Sequence, residues 1–159
     1  MTLERALDAV MAVMDTSFDP HWREAWSRAQ VRDSLELPST SLLLVDKDGR
    51  SITAGPAVGF VLSRQALDEE ELLLVAVQPN ARGRGLGAAL LYKYLAAARQ
   101  RGIRNVFLEM RANNPAHSLY TRCGFRPIGT RPRYYCTMDG QPIDAITFAC
   151  QLDRSATHS

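Results

Sequence analysis

Cysteine is scarce in this sequence and carries no pattern. Cys123, Cys136 and Cys150 are the only three among 159 residues, an odd number without paired spacing, which excludes a disulfide framework and a cysteine-based zinc site. They read as packing or surface thiols. No apolar run approaches the ~20 residues that a membrane-spanning helix requires. The opening segment MTLERALDAVMAVMD has acids within its apolar stretch and neither a basic start nor a small-residue cleavage site, so it reads as mature structure and not as a signal peptide. The expected address is therefore the cytoplasm. Low-complexity tracts, tandem repeats and long linkers are also missing, so the elements should follow one another closely. A net charge of +2 is too small to imply nucleic-acid binding, although arginines gather over 82–104 and 122–133. No nucleic acid, membrane or metal is expected as a partner.

What is present suits one globular domain: 46% hydrophobic and 23% charged residues in a length that one core can serve. The domain is expected over 1–159, with its core over about 3–152 and a flexible tail over 153–159. Leu3, Leu7, Val10, Met11 and Met14 fall on one helical face. A second helix is expected over about 22–37, stopped by Pro38. SLLLVDKDGRS is a short strand running into Asp48-Gly49, a dipeptide suited to a tight hairpin turn, and AVGFVLSR reads as the returning strand. The almost continuously apolar 72–77 predicts a strand covered on both faces, at the centre of a sheet. A helix with Leu86, Leu90, Tyr94 and Ala98 on one face follows, ending at ARQRG, and RNVFLEMR is the next strand. Together these form a βαβ unit with a right-handed crossover. Asn114 and Pro115 open a short helix closed by Gly124, and FRPIG and DAITFACQL supply two closing strands. The expected class is α/β: a mixed, mostly antiparallel sheet with a central βαβ unit and flanking helices.

Between the central strand and its helix lies NARGRGLGAAL, with glycines at 83, 85 and 87 and arginines at 82 and 84. Glycines at a helix start allow close backbone approach to a ligand, and free N–H groups there form an anion site. A Walker loop would need lysine and serine or threonine after the last glycine, where this chain has Ala88 and Ala89. A dinucleotide fingerprint is matched by Gly83, Gly85 and Ala88, with Glu109 about twenty residues on as the ribose-binding acid. Against it, QPNAR separates Val77 from Gly83, and only one βαβ unit is present. A third pattern, R-x-x-G-x-G/A, is matched by Arg82, Gly85 and Gly87.

With that loop, LLLVAVQPNARGRGLGAALL resembles the coenzyme-binding segment of the GNAT superfamily of acyl-coenzyme A-dependent N-acyltransferases. NNPAHSLYTRCGF is similar to a second motif of that superfamily through Asn113, Ala116, Leu119, Tyr120, Gly124 and Phe125. Specific motifs run over about 72–125. Within the superfamily, FLEMRANNPAHSLY and RYYCTMDGQPIDAITFA most resemble the ribosomal-protein-alanine N-acetyltransferases. The resemblance implies a GNAT fold and acetyl-CoA as acyl donor, with direct transfer to a primary amine, first among them a protein N-terminus. A small-molecule amine is the second acceptor class. The other readings are a non-catalytic coenzyme A-binding module and a dinucleotide-binding module. Monomer and homodimer both remain open.

The resemblance also assigns residues. The backbone of Val75, Ala76 and Val77 would run beside the pantetheine arm. Gly83, Arg84, Gly85, Leu86, Gly87 and Ala88 would hold the pyrophosphate with Arg82 at the edge. Asn113, Ala116 and Tyr120 would contact the coenzyme. Acetyl transfer needs a neutral amine and a proton for the departing thiolate. A thiol has a pKa of ~8.5 and tyrosine ~10, so a tyrosine can donate while staying protonated near neutrality. Tyr120 matches the family's general acid. Glu109 occupies the position of the base in the ribosomal-protein enzymes, and Glu71 the position used by other branches. Tyr134 and Tyr135 would wall the acceptor groove. The interval from Glu109 to Asn113 is one residue shorter, and DGQPIDA one longer, than in those enzymes. The family's usual first strand has no counterpart ahead of the first helix.

Overall fold

Residues 1–152 are described by a computed structural model; the tail expected over 153–159 lies outside the described residues. Thr2 caps helix α1 (Leu3–Ser17) by accepting from the Arg5 amide at 3.2 Å, and Leu7, Val10, Val13 and Met14 form its buried face. The second helix departs from expectation. Residues Pro20–Trp22 make a single 3₁₀ turn, Arg23 adopts a left-handed φ of 57°, and α2 spans only Arg28–Leu35. Ser27 and Gln30 form a reciprocal capping box that fixes this later start. A loop carrying Trp22 and Glu24 therefore replaces the expected first turns, and no strand precedes α1 among the described residues.

Strand β1 (Thr40–Val45) runs into the expected turn, where Gly49 has φ +78° and Asp46 Oδ1 accepts from the amides of Asp48 and Arg50. The return is slower than expected, since β2 (Gly59–Ala66) begins only after a loop. Strand β3 (Glu69–Val77) pairs with it antiparallel. Then come a 3₁₀ turn at Pro79–Ala81, α3 (Leu86–Gln100), β4 (Asn105–Arg111) and α4 (His117–Arg122). Strand β5 (Arg126–Cys136) extends well past FRPIG and absorbs both Tyr134 and Tyr135, and β6 (Pro142–Gln151) closes the chain's sheet. The order is β1-β2-β3-β4-β6-β5; only the β3–β4 pair is parallel, so the sheet is mixed and mostly antiparallel.

Each face of the sheet has its own core. On one, Phe60, Leu62, Leu74 and Ala76 pack with α1 and with Val31 of α2; on the other, Val61, Leu72 and Val106 pack with Leu90, Leu91 and Tyr94 of α3. Leu72 and Leu74 would share a face under a strict period of two, yet they enter opposite cores. The reason is a bulge: Leu62 pairs with Leu74 and Ser63 with Leu72, leaving Leu73 as the extra residue. A bulge bends its strand, and this one stands where β3 leaves β4. Their parallel pairing covers only 69–71 against 105–107. Beyond it the strands diverge.

Candidate active site

The divergence opens a cleft of about 960 Å³ between 72–77 of β3 and 108–111 of β4. Beyond Glu71 the edge of β3 that faces β4 has no ladder partner among the described residues. Such an edge can pair with an extended, amide-bearing ligand as an added strand would. The glycine loop forms the mouth. Gly83 and Gly85 have φ of +79° and +76°, and a Cβ at either would meet nothing within 4 Å. Backbone conformation, not crowding, thus demands glycine at both, and the space over the loop stays open. Helix α3 has no side-chain cap, and its first backbone bond runs from the Ala89 amide to the Gly85 carbonyl at 3.0 Å. The amides ahead of it face an open site at the positive end of a helix dipole. Gly87 has a different role: a Cβ there would come 3.2 Å from Leu119 Cδ2, so its absence lets α3 and α4 approach.

The two arginines of the loop diverge in use. Arg82 donates from Nε to the Val77 carbonyl at 2.9 Å and from its terminal nitrogen to the Ser17 carbonyl at 2.8 Å. It braces the loop against the ends of β3 and α1. Arg84 is exposed and outside the cleft lining.

Tyr120 lines the cleft from α4, its ring edge-on to Phe125. Burial, with smaller contributions from Cys123 and Glu24, pushes its hydroxyl pKa well above the ordinary tyrosine value. The hydroxyl therefore keeps its proton at any physiological pH. Glu109 also lines the cleft, 23% exposed; its Oε2 accepts from Thr147 Oγ1 at 3.2 Å and pairs with Arg131 Nε at 3.0 Å. Tyr135 lies beside it and donates to the Glu109 backbone carbonyl at 3.5 Å. Burial first, and then Glu109 and Glu24, raise its pKa to about 12.

Four expected site residues do not join this group. Glu71 lies on the part of β3 still paired with β4, and its exposed carboxylate is held 3.1 Å from Arg64. It is outside the cleft, because the strands part only after it. Its neighbour Glu70 points the other way and is buried against Ser63 and Arg101. Asn113 is exposed and accepts from Arg111 at 3.0 Å, while Asn114 takes the turn-forming role by accepting from the Ala116 amide at 2.9 Å. Tyr134 is 53% exposed, stacked edge-on against Tyr135 and beneath Arg131, outside the lining. Arg84 completes the four.

Three residues that pattern reading passed over do line the cleft: Trp22, Glu24 and Arg111. Arg111 Nε meets Glu24 Oε1 at 3.2 Å, and its guanidinium lies 3.9 Å from the centre of the Trp22 ring. The 87-residue separation of this ion pair hides it from any local pattern. HWREAW carries the only local signal, two aromatics around an acid ahead of a capping serine.

These features fit a long, anionic, amide-bearing donor at one end and an amine at the other. The short 3₁₀ turn sets the loop away from the end of β3, and β4 diverges instead of running alongside, so the unit does not build a dinucleotide crevice. No helix among the described residues is long and apolar enough to cross a membrane.

Comparison with known proteins agrees with this geometry. The model of the acetyltransferase (GNAT) family matches residues 7–125. The chain is 38% identical over 99 residues to the [ribosomal protein bS18]-alanine N-acetyltransferase of Escherichia coli K12, covering 62% of this chain and 66% of that protein. It is 34% identical over 95 residues to that of Haemophilus influenzae, covering 60% and 65%. In each case the match spans just under two thirds of the curated relative's length. The crystal structure of the ribosomal-protein-S18-alanine N-acetyltransferase from Escherichia coli is similar over 92% of this chain and 88% of that one, with a TM-score of 0.78 and 28% identity.

Proposed function

This chain belongs to the acetyltransferase (GNAT) family, and from that premise we propose that it transfers an acetyl group from acetyl-CoA to the N-terminal α-amine of a protein, a ribosomal protein first. The observation that carries the reading is the split between β3 and β4, with the glycine loop at its mouth and Tyr120, Glu109 and Glu24 within. The relatives' action on the alanine of a ribosomal protein supports the acceptor class.

When bound, acetyl-CoA supplies an acetyl group already activated as a thioester. The amides of 83–88 hold its pyrophosphate, and the free edge of 75–77 holds the pantetheine arm by main-chain bonds. Ala116 borders the same channel. Tyr120 keeps a proton at its hydroxyl for the departing sulfur, where burial holds it. Glu109, oriented by Thr147 and Arg131, draws the proton from the attacking amine. The loop tying His21 to the β5–β6 turn, through the Met138 amide at 3.1 Å, borders the acceptor side.

The test is incubation with acetyl-CoA and a panel of N-terminal peptides, small amines and polyamines, read by thiol release. Turnover on peptides is the expected result. Coenzyme binding without turnover on any amine would leave only a binding module, and thermal stabilisation by NAD but not by acetyl-CoA would restore the dinucleotide reading.

A further inference from the structure

Three consecutive glutamates begin β3; Glu69 and Glu71 are exposed, and Glu70 is not. No part of the Glu70 side chain reaches solvent, yet three donor contacts hold its carboxylate: Ser63 Oγ of β2 at 2.8 Å, and one terminal nitrogen of Arg101, the residue that caps the end of α3, at 2.8 and 2.6 Å. No step of acetyl transfer uses it. A buried ion pair adds little stability over apolar side chains of the same volume, and its best-attested use is to select one register among several.

Strand β3 has two registers to choose between. From Gly59 opposite Val77 to Leu62 opposite Leu74 its ladder with β2 is regular; past the bulge at Leu73 it resumes with Ser63, Arg64 and Gln65 opposite Leu72, Glu71 and Glu70. Without the bulge those three would lie opposite Leu73, Leu72 and Glu71. One leucine would replace another against the core on the α3 side, so apolar burial hardly separates the two ladders. Charge separates them. In the bulged ladder Glu70 points with Leu72 toward α3 and Arg101, while Glu71 points to the other face and meets Arg64 at 3.1 Å. In the straight ladder Glu71 would turn toward Arg101, and Arg64 would lie opposite Leu72. Only the bulged form sets a carboxylate against each arginine. The bulge in turn bends β3 where its pairing with β4 stops, after Glu71 and Phe107.

Resting on the coenzyme reading above, we propose that Glu70 is a positioning residue: by occupying Arg101 and Ser63 it keeps Glu71 from Arg101, holds β3 in the bulged register, and so keeps open the split that receives the pantetheine arm. Loss of Glu70 leaves Arg101 to its neighbour and straightens the strand.

The test compares wild type with Glu70→Met and Glu71→Met, adjacent and chemically identical changes. Register is read from the cross-strand nuclear Overhauser contacts of Ser63, which go to Leu72 in the bulged ladder and to Leu73 in the straight one. Coenzyme affinity comes from calorimetry with acetyl-CoA, and stability from thermal melts. In Glu70→Met the Ser63 contacts should move to Leu73 and the affinity should fall about ten-fold or more, the size of one lost hydrogen bond, while the melt stays near wild type because Arg101 has found Glu71. Glu71→Met removes the competitor and should keep both register and affinity. Should Glu70→Met not fold, the milder Glu70→Gln should move the same readouts in the same direction. A Glu70→Met protein that melts lower but keeps the Ser63 contacts to Leu72 and a normal affinity makes the ion pair a brace and overturns the proposal, as does an equal loss of affinity in Glu71→Met. If wild type does not bind acetyl-CoA, the coenzyme reading falls, and the Ser63 contacts still decide the role of Glu70.

Discussion

A tyrosine whose hydroxyl is buried in a cleft wall loses acidity and holds its proton more firmly, which suits Tyr120 to the proton donation proposed for it. Removing only its oxygen keeps the ring on Phe125. Tyr120→Phe should lower kcat by about 10²- to 10³-fold, the size of a lost general acid, while the affinity for acetyl-CoA stays within about two-fold. Steady-state kinetics with calorimetry of coenzyme binding checks this, and an unchanged kcat removes Tyr120 from the chemistry. Glu71→Gln should be kinetically silent, because Arg64 holds that carboxylate outside the cleft. That Tyr120 and Glu109 come together in one cleft was legible in the sequence, since a motif or strand end fixes them locally. Glu24 and Arg111 were not, because their pairing depends on how a loop near the N-terminus folds over a distant strand.

At the scale of elements, the packing of α3 on α4 links the glycine loop to the helix that carries Tyr120. A Cβ on Gly87 would press on Leu119, the neighbour of Tyr120, from 3.2 Å. Gly87→Ala should therefore cut kcat by roughly five- to ten-fold through a small displacement of α4, while stability changes by no more than ~1 kcal/mol because alanine favours the helix. Gly83→Ala meets no neighbour within 4 Å but must hold φ near +79°, so it should act on coenzyme affinity instead. Kinetics with thermal melts separates the two; a Gly87→Ala enzyme with normal kcat would break the link. The βαβ unit was readable because apolar runs, glycines and basic helix ends agree over 72–111. The bulge at Leu73 was not, since an apolar run has the same appearance in or out of register, and it is this bulge that accompanies the opening of the cleft. The late start of α2 was signalled by Ser27 and Gln30, but aromatic residues at 22 and 26 imitate an earlier helical face.

For the whole molecule, three tyrosines are shielded from water to different degrees: Tyr94 lies in a core, Tyr120 packs against it, and Tyr135 is half-buried in the cleft wall. Tyr135 is raised to about 12, and Tyr94 and Tyr120 are raised further, by burial first in each case. Their folded values exceed the unfolded value of ~10, so the stability they lend is complete below about pH 10 and is lost as the pH rises toward and through the folded values. The urea midpoint should hold level to about pH 10 and fall above it, with the tyrosinate absorbance of these three of the five tyrosines appearing only on unfolding. A flat midpoint would contradict their burial. The central claim concerns where the acetyl group goes. The most direct measurement supplies acetyl-CoA and a peptide that begins with alanine and contains an internal lysine, and locates the added acetyl group by tandem mass spectrometry. The fold, the cleft and the proposed acceptor predict a single acetyl on the α-nitrogen; an acetyl found only on the lysine side chain, or none at all, would contradict them.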